Sequence, residues 1–255
     1  MNSRFWPREH GAYAELLFPI ASGLALGHPG FVAFGFALAA ALLFLANEPL
    51  LVTLGFRGAR IRDELGAAAR RHLATLAVLA AICGGAALWF APVHVRLLAL
   101  APAAIGALLV PLVFAKRLKT LGGELLAVAA FAAVHLPVGA AAGLAGVALW
   151  GPVAVWLASF VTGTLAVHAI KARQQRRDAA LVLAARGVSI AATALALAVA
   201  LAGAESRWLG AAAIVPCAVV MVVNFLPIRT RSLKTLGWSL VATNLLALAI
   251  LAAAY

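Results

Sequence analysis

Charge is scarce in this chain, and negative charge scarcest. Of 255 residues 11% are charged, with eight Asp or Glu against twenty Lys or Arg. No soluble globular domain has so little polar surface to present, so that class is excluded. Cysteine is nearly absent as well. Cys83 and Cys217 both lie inside apolar runs, without metal-ligand spacing and without the makings of a disulfide framework. They read as small buried hydrophobes. The period-two alternation of a membrane β-barrel is also missing, which excludes that architecture. The opening MNSRFWPREHGAYAE has neither the shape nor the A-x-A site of a signal peptide, so none is expected.

What the chain has is apolar sequence, 65% hydrophobic with a mean hydropathy of +1.05. Apolar runs of about 17–25 residues, the length that spans a bilayer as a helix, recur from end to end. Nine are expected, near residues 13–27, 31–53, 72–91, 97–115, 122–143, 149–170, 179–203, 208–226 and 236–254. The first is short and carries Glu15 and Pro19, which predicts a tilted or broken helix. The expected fold is therefore an all-α, polytopic membrane protein of nine transmembrane helices in a single domain, 1–255.

The net charge of +12 does not point to nucleic acid, because the cations fall between the apolar runs. Sorting the connections by side places seventeen of the twenty Lys and Arg on one side. Arg96 and Arg207 fall on the other, and Arg186 lies inside a span. The positive-inside rule then predicts a cytoplasmic N-terminus and an external C-terminus. LKTLG occurs at 118–122 and again at 233–237, which raises the possibility of a repeat of spans one to four in spans five to eight, with a ninth helix added.

Polar residues at membrane depth are costly and mark candidate sites. Asn47-Glu48-Pro49 interrupts the second span, where proline removes a backbone donor. Either it lines a cavity or Glu48 caps the helix end and pairs with an arginine of the loop from Arg57 to Arg71. Arg60 and Glu64, four apart, read as an ordinary solvated pair. Glu15 is either a proton acceptor beneath a cavity or a helix N-terminal charge favoured by the dipole. His10 stands beside it in PREHGAYAELLFPI. His168 and Lys171 share a helical face with Gln175, and Arg173 follows, a cationic end suited to an anion. Lys116 and Arg117 stand before Gly122-Gly123-Glu124 at the mouth of span five. His135-Leu136-Pro137 predicts either a ligand or a packed, hydrogen-bonded histidine at a kink. The expected site is one cytoplasm-facing cavity in which His10, Asn47, Lys116, Arg117, His168, Lys171 and Arg173 bind substrate, with Glu15 or Glu48 as general base.

Two resemblances follow. PREHGAYAELLFPI, with LANEPLL and the arginine-rich stretch after it, resembles the opening of the YwiC-like family of bacterial membrane proteins, over nearly the whole chain. More distantly, VPLVFAKRLKTLGGELLAVAAFAAVHLPVGAAAG is similar to a region of the UbiA-type intramembrane prenyltransferases. That second resemblance implies nine helices, a cytoplasmic N-terminus and a site at the ends of helices two and six. It also implies Asp-rich motifs that hold magnesium and diphosphate. Here the first motif is reduced to Asn47-Glu48, with Leu51 and Gly55 where aspartates are expected, and the second is replaced by His168, Lys171 and Arg173. Magnesium requires oxygen ligands, so no cofactor and no metal are expected. Either cations hold an anion directly or diphosphate chemistry has been abandoned. The expected ligand is an anionic amphipathic lipid or isoprenoid, bound and open to modification, in a bacterial inner membrane. The alternative is a small-solute or anion transporter.

Overall fold

The structure, a computed structural model, describes residues 5–6, 10–176, 178–203, 206–228 and 233–255. Among them ten helices are the only regular elements: α1 (His10–Ala25), α2 (Phe31–Thr53), α3 (Ala59–Phe90), α4 (Val93–Phe114), α5 (Leu121–Ala133), α6 (His135–Ala141), α7 (Gly146–Gln174), α8 (Ala179–Leu201), α9 (Arg207–Phe225) and α10 (Leu233–Ala254). α5 and α6 are two halves of one crossing, Leu121–Ala141, so the ten helices form nine units. Eight of these are long and apolar enough to cross a membrane. The ninth is α1, which has sixteen residues and stays continuous through Pro19. The chain is a multi-pass membrane protein.

Three boundaries differ from the sequence expectation. The stretch read as a loop to Arg71 is helical from Ala59, because its Ala, Arg, Leu and Glu are good helix formers. The resulting 32-residue α3 is about 48 Å long. Its first turns must therefore stand outside an apolar layer of about 30 Å, where Arg60 and Glu64 pair in the open as expected. The fifth crossing breaks at Val134. Pro137 cannot donate to the carbonyl of Ala133 and crowds it, so the helix restarts at His135. α7 runs past its apolar span to Gln174, carrying His168, Lys171 and Arg173 on ordered helix.

Helix ends set the approach to the site. Gly55, at φ 76°, lets the Phe56 N–H donate back to the Leu51 carbonyl at 2.9 Å, and this left-handed cap turns Arg57 towards α2. α4 ends the same way with Lys116 in glycine's place, at φ 58°, and the Arg117 N–H on the Leu112 carbonyl at 2.8 Å. Thr120 caps α5: its Oγ1 accepts from the Gly123 N–H at 3.3 Å and donates to the Arg117 carbonyl at 2.7 Å.

α7 lies at the centre. Trp156, Phe160, Ala166 and Ile170 on it are buried, and it packs on α5, α8 and α9. Two apolar clusters flank it, one built on α1, α2, α6 and the α3–α4 corner, the other on α1, α5, α9 and α10; Leu144 and Leu157 pack against both. α8 and α9 approach so closely that a Cβ on Gly210 would collide with the backbone of Ala196 and Ala200, a small-residue contact of the kind that holds helices together in lipid. The outer faces of α3, α4 and α8 leave Trp89, Leu97 and Leu183 exposed, as lipid-facing surfaces do.

Contacts fix which turns share an end. Arg57 pairs with Glu48, Lys116 Nζ lies 5.1 Å from the centroid of Phe56, and Arg173 donates to the Leu226 carbonyl. With His168 on α7 meeting Glu124 at the start of α5, the α2–α3 and α4–α5 turns and the ends of α7 and α9 thus share one basic end. At the opposite end the His28 N–H donates to the Ala142 carbonyl at 2.8 Å and Phe31 meets Phe90. Arg96, one of the few cations there, holds the carbonyls of Trp89 and Ala91 at the end of α3, a placement the helix dipole favours.

Candidate functional site

At the basic end, α1, α5 and α7 bring together groups that the apolar sequence isolates. His168 Nε2 lies 2.9 Å from Glu124 Oε2, joining α7 to α5. Glu15, on α1, is close enough to Glu124 for the two carboxylates to interact. Lys119, in the turn before α5, feels both Glu124 and Lys171. Partial burial, and then the Lys171 ammonium, hold the Lys119 amine below its ordinary value against the opposing pull of Glu124. Two carboxylates, a histidine and two ammonium groups therefore share one corner of the bundle. The arrangement can hold an anion on Lys119 and Lys171 and move a proton among Glu15, Glu124 and His168.

The second part of the site is on α2. Both oxygens of Glu48 accept from Arg57, at 2.8 Å from Nε and 2.5 Å from Nη2. Glu48 is only 1% exposed, so the fork-on-fork geometry compensates a carboxylate withdrawn from water. The helix-end reading of Glu48 describes this contact. Asn47 is half-buried beside it. Tyr13 of α1 is within electrostatic reach of Glu48, so α1 presents Tyr13 to one group and Glu15 to the other.

An aromatic file leads inward from this point. Tyr13 meets Phe44 edge-on with ring centroids 5.0 Å apart, and Phe44 meets Phe131 at 5.8 Å. All three rings are partly exposed. Phe44 and Asn47 are one turn apart on α2, and Glu124 and Phe131 two turns apart on α5, so each helix carries a polar residue above an aromatic one on the same face.

The remaining candidates are placed elsewhere. Lys116 and Arg117 are exposed in the α4–α5 turn. Arg173 sits about 200° around α7 from Lys171 at 100° per residue and faces α8 and α9, with Nη1 on the carbonyls of Asn224 and Leu226. The side chain of His10 lies outside the described residues. Glu124, Lys119 and Tyr13 are not among the site residues expected from the sequence. The signal for Glu124 was available, since it is one of only eight acidic residues and opens an apolar helix.

Deeper in the bundle, His135 is fully buried. Its Nδ1 lies 2.9 Å from Ser22 Oγ and 3.2 Å from the Pro19 carbonyl, and Trp156 Nε1 donates to the same Ser22 Oγ at 2.9 Å. This is a hydrogen-bonded histidine at a kink, tying α6 to α1 and α7. Its Nε2 has no partner among the described residues. Ser159 and Asn244 form a further buried bond, at 2.7 Å, between α7 and α10.

Compared with known proteins, residues 6–138, a little over half of the chain, match the model of the YwiC-like protein family. That match contains α1, α2, the aromatic file and Glu124, and ends before α7. No curated protein and no solved structure matches the chain.

Proposed function

The chain belongs to the YwiC-like family, and on that footing we propose that it binds an anionic amphipathic lipid or isoprenoid at its basic end. The observation that carries this reading is the aromatic file Tyr13–Phe44–Phe131 running inward from the charged corner. A headgroup anion rests against Lys119 and Lys171, which offer charge-assisted hydrogen bonds. Asn47 reaches the same headgroup from α2, and the apolar tail follows the aromatic rings between α1, α2 and α5. The positive-inside rule turns this end to the cytoplasm, with the N-terminus inside, the C-terminus outside, and a bacterial inner membrane as the setting.

The two carboxylates expected to act as bases then differ in role. Glu48 has both oxygens engaged by Arg57 and anchors the α2–α3 turn. Glu15, facing Glu124, is the base that any chemistry on the bound headgroup would use, with His168 as the next proton carrier. Magnesium, implied by the UbiA-type resemblance, does not fit this donor set. It asks for several oxygen ligands, whereas the Glu48 oxygens are occupied and the Lys119 ammonium acts on Glu124.

A second reading is a proton-coupled transporter of small solutes or anions. It is favoured by the titratable groups at two depths, Glu15, Glu124 and His168 near the end and His135 with its unpartnered Nε2 in the middle.

Native mass spectrometry of the protein purified in mild detergent, with identification of the retained molecules, separates the two. A retained isoprenoid or anionic lipid that is lost in Lys119→Gln/Lys171→Gln supports binding. A protein without such a molecule, but with a solute flux in proteoliposomes that depends on Glu15 or His168, overturns it in favour of transport.

A further inference from the structure

A second cationic site lies on the far side of α7. Arg173, Arg176 and Arg186 line a cavity of about 480 Å³ between the end of α7 and the first turns of α8, with Val182 and Leu183 as its apolar wall. That volume is within the roughly 300–1,000 Å³ of small-ligand sites. Arg186 is the cation that the topology does not explain: it lies seven residues into α8, about 10 Å along an otherwise apolar helix, where an arginine is costly without a function or a partner.

The partners within the chain account for part of this. Arg186 Nε donates to the Asn224 carbonyl at 3.2 Å, and its guanidinium lies 4.9 Å from the centroid of Phe225. Arg173 Nη1 holds the carbonyls of Asn224 and Leu226 at the same helix end. Asn224 is itself fixed, its Nδ2 donating to the Ala185 carbonyl and to Ser189 Oγ. Capping one helix C-terminus offsets about half a negative charge, whereas three guanidinium groups are gathered here. Among the described residues none of the three forms an ion pair with a carboxylate, and Arg173 Nη2 is buried with no hydrogen-bond partner. Arg176 makes no side-chain hydrogen bond among them and is exposed at the mouth. Leu183 beside the cavity is 72% exposed and continues into the lipid-facing surface of α8.

We propose that this cavity binds a phosphate-bearing anion, held by Arg173, Arg176 and Arg186, and that the anion is the headgroup of an anionic phospholipid whose acyl chains lie along Val182 and Leu183. Guanidinium forks suit phosphate oxygens. The apolar wall opening to the bilayer favours a lipid over free phosphate. The site is independent of the Lys119–Lys171 corner, since the two faces of α7 point apart.

The test is native mass spectrometry of delipidated protein titrated with phosphatidylglycerol or phosphatidylcholine, alongside thermal stability with and without inorganic phosphate. Arg176→Gln is the informative variant, because it removes a cation whose side chain makes no hydrogen bond among the described residues. Arg70→Gln, an exposed arginine of α3, removes the same charge from the same end. Loss of one charge-assisted contact weakens binding about tenfold. The expected result is phosphatidylglycerol bound in preference to phosphatidylcholine, with that order of loss in Arg176→Gln and wild-type retention in Arg70→Gln. Inorganic phosphate that raises the melting temperature of wild type but not of Arg176→Gln, with no lipid preference, assigns the site to free phosphate and keeps the anion. Equal phosphatidylglycerol retention by wild type and Arg176→Gln, with no phosphate effect, overturns the proposal. Equal losses in Arg176→Gln and Arg70→Gln do so too, because they reduce the effect to general surface charge.

Discussion

His168 Nε2 on α7 lies 2.9 Å from Glu124 Oε2 on α5, joining the central helix of the bundle to the half-crossing that ends at the Val134 break. The side chains are 18% and 33% exposed, so water weakens the contact without removing it. A double-mutant cycle with His168→Gln and Glu124→Gln should return a coupling of about 0.5–1.5 kcal/mol, the scale of a single partly exposed hydrogen bond or ion pair. Unfolding in detergent gives the number. A coupling near zero would mean the two groups meet without stabilising the fold.

The Glu48–Arg57 pair should behave asymmetrically. Arg57→Ala removes the two charge-assisted hydrogen bonds that compensate a fully buried carboxylate, which costs about 3–5 kcal/mol. Glu48→Gln removes the buried charge and leaves Arg57, 24% exposed, able to reach water, so its cost is smaller. Adding Glu48→Gln to Arg57→Ala should restore part of the lost stability. Thermal unfolding of the three variants reads the order directly.

Lys119 sets a pH dependence. Its amine binds a proton less tightly in the folded chain than at its ordinary value of 10.5, because of partial burial and the neighbouring Lys171. The unfolded chain therefore carries more proton at this site, and stability rises with pH between the lowered native value and 10.5. Below that window the unfavourable contribution is present in full. Lys119→Met should flatten the slope, as measured by melting temperature across alkaline pH.

Ser22 serves three partners at once. Its hydroxyl accepts from Trp156 Nε1 and lies within hydrogen-bond distance of His135 Nδ1 and the Pro19 carbonyl. Ser22→Ala strands the indole N–H inside the bundle, which costs about 1–3 kcal/mol. Tryptophan fluorescence and thermal unfolding of Ser22→Ala check this. Ser22→Thr, which keeps the hydroxyl, should lose less.

Much of this was legible in the sequence. Runs of Ala, Leu and Val long enough to span a membrane gave the nine units, and cations gathered between them fixed which turns share an end. Arg60 and Glu64 were readable from their spacing alone, and Pro137 marked the place where the fifth crossing breaks. The start of α3 was not, since good helix formers after Gly58 can also be solvated loop until packing decides. Nor was the division of α7, although its phase is plain arithmetic: which neighbour each face meets depends on helix order in space, and this sends His168 and Lys171 to α5 and Arg173 to α9. Glu124, at the mouth of span five, does not stand out as a site residue in the sequence, because a carboxylate in a first helical turn already has a local explanation in the helix dipole.

The most direct measurement is photocrosslinking with an isoprenyl phosphate that carries a diazirine in its tail, followed by peptide mapping. The account predicts labels on the α2 and α5 peptides containing Phe44 and Phe131, competed by unlabelled isoprenyl phosphate and lost in Lys119→Gln/Lys171→Gln. Labels spread over the outer faces of α3, α4 and α8, unchanged in that variant, would contradict it.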